Sequence, residues 1–246
     1  MADVKIRSET NARPPGYWAV IAAAGGGKRM GAAVPKQYLP LAGRPLLAHA
    51  VERVAGHPRV SGAVVVLARD DALWDAVELG PVPRPRRATG GAERCHSVLN
   101  GLEALAGDAA EDDWVLVHDA ARPCVRPEDI DRLMDELAGH PVGGLLGLPA
   151  RDTLKRADPD GSVRETVARA GLWHALTPQM FRFGLLRRAL QAAIGGGLLV
   201  TDEAQAVELA GHVPRLVEGS PDNVKVTAPR DLALAELFLR AQEAHQ

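Results

Sequence analysis

Continuous apolar runs constrain this chain more than any other feature: YWAVIAAA at 17–24, GAVVVLA at 62–68, WVLVH at 114–118 and VGGLLGL at 142–148. Runs this short, apolar without alternation, read as strands covered on both faces. Between them lie segments of helical spacing. At 45–56 the apolar face is Leu46, Leu47, Ala50, Val51 and Val54; at 93–106 it is Val98, Leu102 and Leu105. Residues 127–138 read as a further helix with acid at its start, where the helix dipole favours it. A shorter strand is expected at 84–89 and a short helix at 70–79. Strands alternating with helices build βαβ units, so the expected fold is α/β, a mostly parallel twisted sheet flanked by helices. Ligands of such sheets bind outside the carboxyl ends of the strands.

Past Pro149 the pattern changes. Residues 151–157 and 162–168 carry Thr and Val among charges, around the turn-forming DPDG at 158–161. They predict a protruding two-stranded arm within about 149–178, too short to be stable alone, so it is expected to lean on something else. Helical patterns return at 181–194 and 202–210, a strand at 213–218, and a closing helix from 229 to 243. Residues 1–16 are polar and mixed in charge and read as a loose tail. The remainder, 17–246, reads as a single domain carrying the arm.

Net charge is −2 over 246 residues, so no global field recruits nucleic acid or an anionic membrane, and anion binding must come from local cations. No apolar run approaches bilayer length. Cys95 and Cys124 lack CxxC spacing, which suits a reducing cytoplasm.

Two motifs fall at strand ends. AAAGGGKRMG at 22–31 follows the first strand and sets Gly25, Gly26 and Gly27 before Lys28 and Arg29, with Lys36 close behind. Consecutive glycines cost conformational entropy, and close approach of backbone N–H groups to phosphate would justify them. The loop is neither common nucleotide fingerprint. A Walker A loop needs Gly where Ala22 stands and Ser or Thr where Arg29 stands; GxGxxG needs Gly at Met30. HDAARP at 118–123 puts Asp119 and Arg122 past the WVLV strand, where a carboxylate either holds a hard divalent cation or caps a turn. GGAER at 90–94 is a second glycine pair before a helix. His118 and His174 are candidate bases, although a lone histidine is more often structural, and no nucleophilic side chain stands out.

Taken together, these segments resemble the 2-C-methyl-D-erythritol 4-phosphate cytidylyltransferases of the non-mevalonate isoprenoid pathway. The resemblance rests on AAAGGGKRMG, PKQYLPLAGRPLLAH, GGAERCHSV, VLVHDAARPCV, PARDTLKR, GLWHALTPQMF, TDEAQAVE and EGSPDNVKVTAPRDLALAE, in family order over residues 19–240. Two positions depart from common versions of the loop, Ala22 and Gly26, and neither removes a charge. The resemblance implies CTP and a methylerythritol phosphate as substrates and Mg²⁺ or another divalent cation on Asp119. It assigns Arg29, Lys36, Arg169 and Lys225 to catalysis. Ala23, Ala24, Gly25, Gly26, Gly27, Lys28, Gly91, Ser97 and Ala120 match nucleotide-binding positions, and Arg122, Thr153 and Thr177 the acceptor pocket. It also implies a homodimer through the arm, with Thr153 and Arg169 serving the partner's site. A cytidylyltransferase for another polyol phosphate, such as ribitol 5-phosphate, shares most of these motifs. A non-catalytic nucleotide-binding protein of the same fold is the rival of a different class.

Overall fold

The computed structural model describes residues 13–25 and 34–244. Its apolar runs form the middle of a seven-stranded sheet. These are β1 (Tyr17–Ala22), then, after the two-residue hairpin β2 (Pro40–Leu41) and β3 (Arg44–Pro45) and helix α1 (Leu46–Ala55), β4 (Val60–Leu67). Next come β5 (Arg86–Thr89), α2 (Arg94–Leu105), β6 (Trp114–Asp119), α3 (Pro127–Leu137) and β7 (Gly143–Pro149). The arm is β8 (Leu154–Ala157) and β9 (Val163–Val167). The chain returns through β10 (Trp173–Arg182), α4 (Phe183–Gly195), α5 (Glu203–Leu209), β11 (Arg215–Glu218) and α6 (Pro229–Glu243).

The strand order is β11-β7-β10-β6-β1-β4-β5. β1 runs parallel to both β4 and β6, β5 parallel to β4 and β11 parallel to β7, while β10 lies antiparallel between β6 and β7. Successive side chains enter opposite layers. Ala19, Ile21, Val65 and Leu116 pack with α1 and α3; Val20, Val64, Val66, Val115 and Val117 pack with α2, α4 and α5. This period of two is why the runs had to be apolar throughout. α2 sits unusually close to the sheet at Gly101, where a Cβ would stand 2.6 Å from Val20 Cγ1. Leu41, Leu46 and Cys124 meet Val226, Ala235 and Leu239 in a smaller cluster that holds α6.

Two expectations are corrected. Residues 70–79 form only a single 3-10 turn at Trp74–Ala76. Asp71 Oδ1 accepts hydrogen bonds from the N–H groups of Leu73 and Trp74, 3.1 Å each, and this local side-chain turn competes with helix. Residues 173–182 had no strand expected, yet they form the sheet's antiparallel strand. Pro178 and the irregular pairing between Ala175 and Gln179 hide the pattern.

The arm strands pair with each other in a sheet of their own. Of the stretch read as a tail, residues 13–16 are described: Arg13 and the Gly16 N–H both bond to Asp113, at 2.7 and 2.8 Å. Among the described residues no helix is long and apolar enough to cross a membrane.

Candidate active site

β1 lies where the connections reverse direction: the chain moves outward through β4 and β5, then returns to β1's other side as β6. A cleft of about 270 Å³ opens there, at the carboxyl ends of the strands. Ala22 to Gly25 form one wall, Gly91 to Arg94 with Ser97 a second, and Asp119 to Ala121 the floor; Lys36, Gln37 and Lys225 close it.

Local contacts hold each wall. Gln37, buried, donates from Nε2 to the Ala23 carbonyl at 2.8 Å and fixes the chain leaving β1. The β5–α2 loop must cross the end of β4 to reach the cleft, and Gly90 lets it: a Cβ there would lie 2.3 Å from Ala24 Cβ. Ser97 Oγ accepts from the Gly91 N–H at 3.0 Å and donates to the Glu93 carbonyl at 3.1 Å, so its loop arrives ordered. Ala120 N–H bonds the Ala22 carbonyl, tying floor to wall.

Asp119 is the electrostatic centre. One carboxylate oxygen, Oδ1, accepts from Arg94 Nε at 2.9 Å; the other, Oδ2, accepts from Lys225 Nζ at 2.6 Å. Burial alone would raise its pKa, but Arg94 and Lys225 outweigh burial and hold the carboxyl well below the usual range. Asp119 is therefore an anion at any pH near neutrality. Among the described residues no cluster of three or more His, Cys, Asp or Glu side chains could hold a metal ion. A single ionised carboxylate beside a phosphate-sized cleft nevertheless fits Mg²⁺, which takes one or two carboxylates and completes its shell with water and substrate phosphates.

Below the floor runs a directed chain of hydrogen bonds. Asp119 N–H donates to Thr177 Oγ1 at 3.2 Å, and Thr177 Oγ1 lies 3.0 Å from His118 Nδ1. His118 Nε2 lies 2.9 Å from the Arg122 carbonyl, which can only accept, so Nε2 carries the proton and Thr177 donates to Nδ1. Burial holds His118 down to about 4, and it is neutral. It is a structural tie and not a base. His174 is exposed on β10, opposite Leu148 of β7.

Arg122 is buried beside this chain. It donates to the Asn223 carbonyl at 2.7 Å and to the Ala175 carbonyl at 3.4 Å, and its Nε has no partner. Burial lowers its pKa from the ordinary arginine value.

The structure thus brings Ala23, Ala24, Gly25, Lys36, Gly91, Ser97, Asp119, Ala120 and Lys225 into one cleft. Thr177 and Arg122 lie under or beside its floor. Thr153 and Arg169 are exposed at the arm and do not line it. Gly26, Gly27, Lys28 and Arg29 lie outside the described residues. Sequence reasoning missed Arg94 and Glu203. Arg94 binds Asp119 and grips Glu203 with two nitrogens, at 2.6 and 3.1 Å. Both residues stand in quoted motifs, GGAER and TDEAQAVE, but nothing in either motif announces the other.

A cleft at the reversal point of a mostly parallel sheet, walled by glycine-bearing loops and lined by cations around the buried Asp119 carboxylate, defines a nucleotide-handling α/β protein. Residues 17–241 match the family described as IspD: 2-C-methyl-D-erythritol 4-phosphate cytidylyltransferase, and the chain belongs to it. It is 56% identical over 219 residues to the protein of that name from Pseudomonas putida strain W619, covering 89% of this chain and 93% of that one. The Pseudomonas aeruginosa PAO1 protein of the same name is 55% identical at 89% and 94% coverage. A crystal structure of a 4-diphosphocytidyl-2C-methyl-D-erythritol synthase superposes with a TM-score of 0.79 at 39% identity, covering 92% of this chain and 99% of that one.

Proposed function

We propose that this enzyme transfers the cytidylyl group of CTP to 2-C-methyl-D-erythritol 4-phosphate and releases pyrophosphate. The observation that carries the reading is the convergence of Gly25, Lys36, Gly91, Ser97, Asp119 and Lys225 on one cleft, in a chain more than half identical to proteins of that name.

The chemistry asks little of a base. A phosphate monoester has a second pKa of about 6, so the attacking oxygen is already an anion at neutral pH. That oxygen attacks the α-phosphorus in line, and the bond to the bridging oxygen of pyrophosphate breaks. What must be overcome is the approach of two polyanions and the charge gathering on the leaving group. Gly25 and Gly91 bring backbone close to the triphosphate and ribose. Lys36, which donates to the Val226 carbonyl at 3.4 Å, lines the same cleft as Asp119 and Lys225 and stabilises the leaving group's charge. Arg29 and Lys28, by their place in the sequence after Gly25, would oppose that negative charge, and Gly26 and Gly27 would offer further N–H donors. Ala23, Ala24, Ser97 and Ala120 frame the nucleotide. Lys225 orients the acceptor phosphate, and Arg122 and Thr177 bound the acceptor pocket.

Asp119 would hold Mg²⁺ or another divalent cation, which when bound neutralises triphosphate charge. Arg169 and Thr153, expected beside the acceptor, do not line this chain's own cleft among the described residues. We infer that Arg169, with Thr153, is supplied by the arm of a second copy, in a homodimer working in the cytoplasm. Pyrophosphate release measured with CTP plus methylerythritol 4-phosphate, and separately with CTP plus ribitol 5-phosphate, tests the assignment. Strong preference for the first is expected. Preference for ribitol 5-phosphate would reassign the acceptor, and nucleotide binding without turnover on either would remove the catalytic reading.

A further inference from the structure

The motifs TPQ at 177–179 and TDEAQ at 201–205 contribute little to the cleft lining, yet they are tied together beneath it. Gln179, fully buried on β10, donates from Nε2 to Asp202 Oδ2 at 3.0 Å and accepts from the Ala204 N–H at 2.8 Å. Asp202 uses its other oxygen to cap α5, accepting from the Gln205 N–H at 2.9 Å. The first turn of α5 is thereby fixed to the sheet on both sides of Glu203. Glu203 is wholly buried, and both of its oxygens face Arg94. The guanidinium has one edge left, and Nε on that edge points at Asp119 Oδ1.

Two cations, Arg94 and Lys225, face two carboxyl groups, Asp119 and Glu203; burial pushes the Glu203 carboxyl up, and the Arg94 fork opposes that rise. The two cations differ in freedom. The Arg94 fork is bidentate to a carboxylate with no access to water, a geometry that a planar guanidinium holds firmly. Lys225 is a single flexible ammonium with a side chain 40% exposed. A ligand entering the cleft can draw Lys225 away from Asp119, but it cannot draw Arg94 without stranding a buried carboxylate.

We propose that Arg94, clamped by Glu203, is a positioning residue that keeps Asp119 Oδ1 occupied throughout the cycle. Asp119 then offers Oδ2 alone to a divalent cation, and Lys225 is the group displaced toward substrate phosphate. Gln179 and Asp202 serve by holding the clamp. This rests on the reading of Asp119 as the cation ligand, and it adds how that ligand is aimed and which of its partners moves.

The test compares wild type with E203Q and R94K, using a non-hydrolysable CTP analogue as probe. Analogue affinity is measured in chelator and then as a function of Mg²⁺, with melting temperature as a check on folding. Glu203→Gln leaves Arg94 loosely held and its charge uncompensated beside the cation. The Mg²⁺ concentration for half-maximal tightening should rise about tenfold or more, the usual cost of losing a partner that orients a metal ligand. Affinity for the analogue in chelator should be unchanged or tighter. Should E203Q fail to fold, R94K carries the test, since a flexible ammonium lacks the planar fork that grips Glu203 bidentately while aiming a fixed donor at Asp119, and it should show the same Mg²⁺ shift. An unshifted Mg²⁺ dependence in folded variants would overturn the proposal and leave the pair a structural ion pair. Equal weakening with and without Mg²⁺ would also overturn it, making Arg94 a nucleotide contact. Wild-type protein that tightens on the analogue with Mg²⁺ but transfers no CMP would count against the proposed reaction while leaving the clamp standing.

Discussion

The floor of the cleft and the arm are built in opposite ways from the same chain. At the floor, Leu116, Val117 and His118 are completely buried, and Asp119 is held by two cations and a backbone bond to Thr177. Its geometry is set by the core before any substrate arrives. In the arm, β8 and β9 are exposed along nearly their whole length, and Val163 keeps 62% of its surface in water. Its ion pairs, such as Arg156 with Glu165 at 2.5 Å, join exposed side chains and contribute little to stability. A hairpin of this kind gains order from what it docks against. On the proposed reading, the floor is the part of the site that one copy completes, and the arm the part that a second copy completes.

The difference has measurable consequences. Leu116 is fully buried in the layer of α1 and α3, so Leu116→Ala should cost about 2–5 kcal/mol in chemical denaturation. A loss under 1 kcal/mol would mean the floor is less rigid than its burial implies.

On its proposed role, Lys36→Ala should act on the reaction and not on the fold. It should lower kcat by a factor corresponding to about 2.7–4 kcal/mol, like removal of an oxyanion donor, with little change in KM for CTP. A rise in KM with kcat untouched would mark a ground-state contact only.

His118 links the floor to pH. Its folded pKa of about 4 lies below the ordinary 6.5, so the folded state binds fewer protons between those values. Its contribution is fully present above pH 6.5 and is lost as pH falls through 4, up to about 3 kcal/mol for a shift of this size. Replacing His118 with Gln should flatten the fall in stability over that window relative to wild type. An identical slope in both proteins would show that His118 is not neutral in the fold.

The smallest effect belongs to the arm. Val163→Ala at low protein concentration should change stability by no more than about 0.5 kcal/mol, as at other exposed positions. A loss that grows with protein concentration would show Val163 packing against a second copy.

The same contrast governs what the sequence disclosed. β1, β4, β6 and β7 were legible because strands covered on both faces must be apolar throughout. The arm was legible for the converse reason, its charges flanking the turn at DPDG. β10 escaped notice because it runs from exposed His174 to buried Phe181 and carries Pro178, so neither alternation nor a continuous run marks it. The cleft residues after β1 and β6 could be placed from strand ends alone. Arg94 and Glu203 could not, since they stand 109 positions apart and each looks like an ordinary helical charge. Only the fold, which brings the first turns of α2 and α5 together, makes them partners.

The shared site is tested most directly by complementation. Arg169→Ala and Lys36→Ala proteins, each inactive alone, are mixed under conditions of proven subunit exchange and assayed for pyrophosphate release. If Arg169 serves the neighbouring cleft, each mixed dimer has one intact site. Random pairing makes half the dimers mixed, so about a quarter of wild-type activity should return. No recovery would place Arg169 in its own subunit's site and contradict the account.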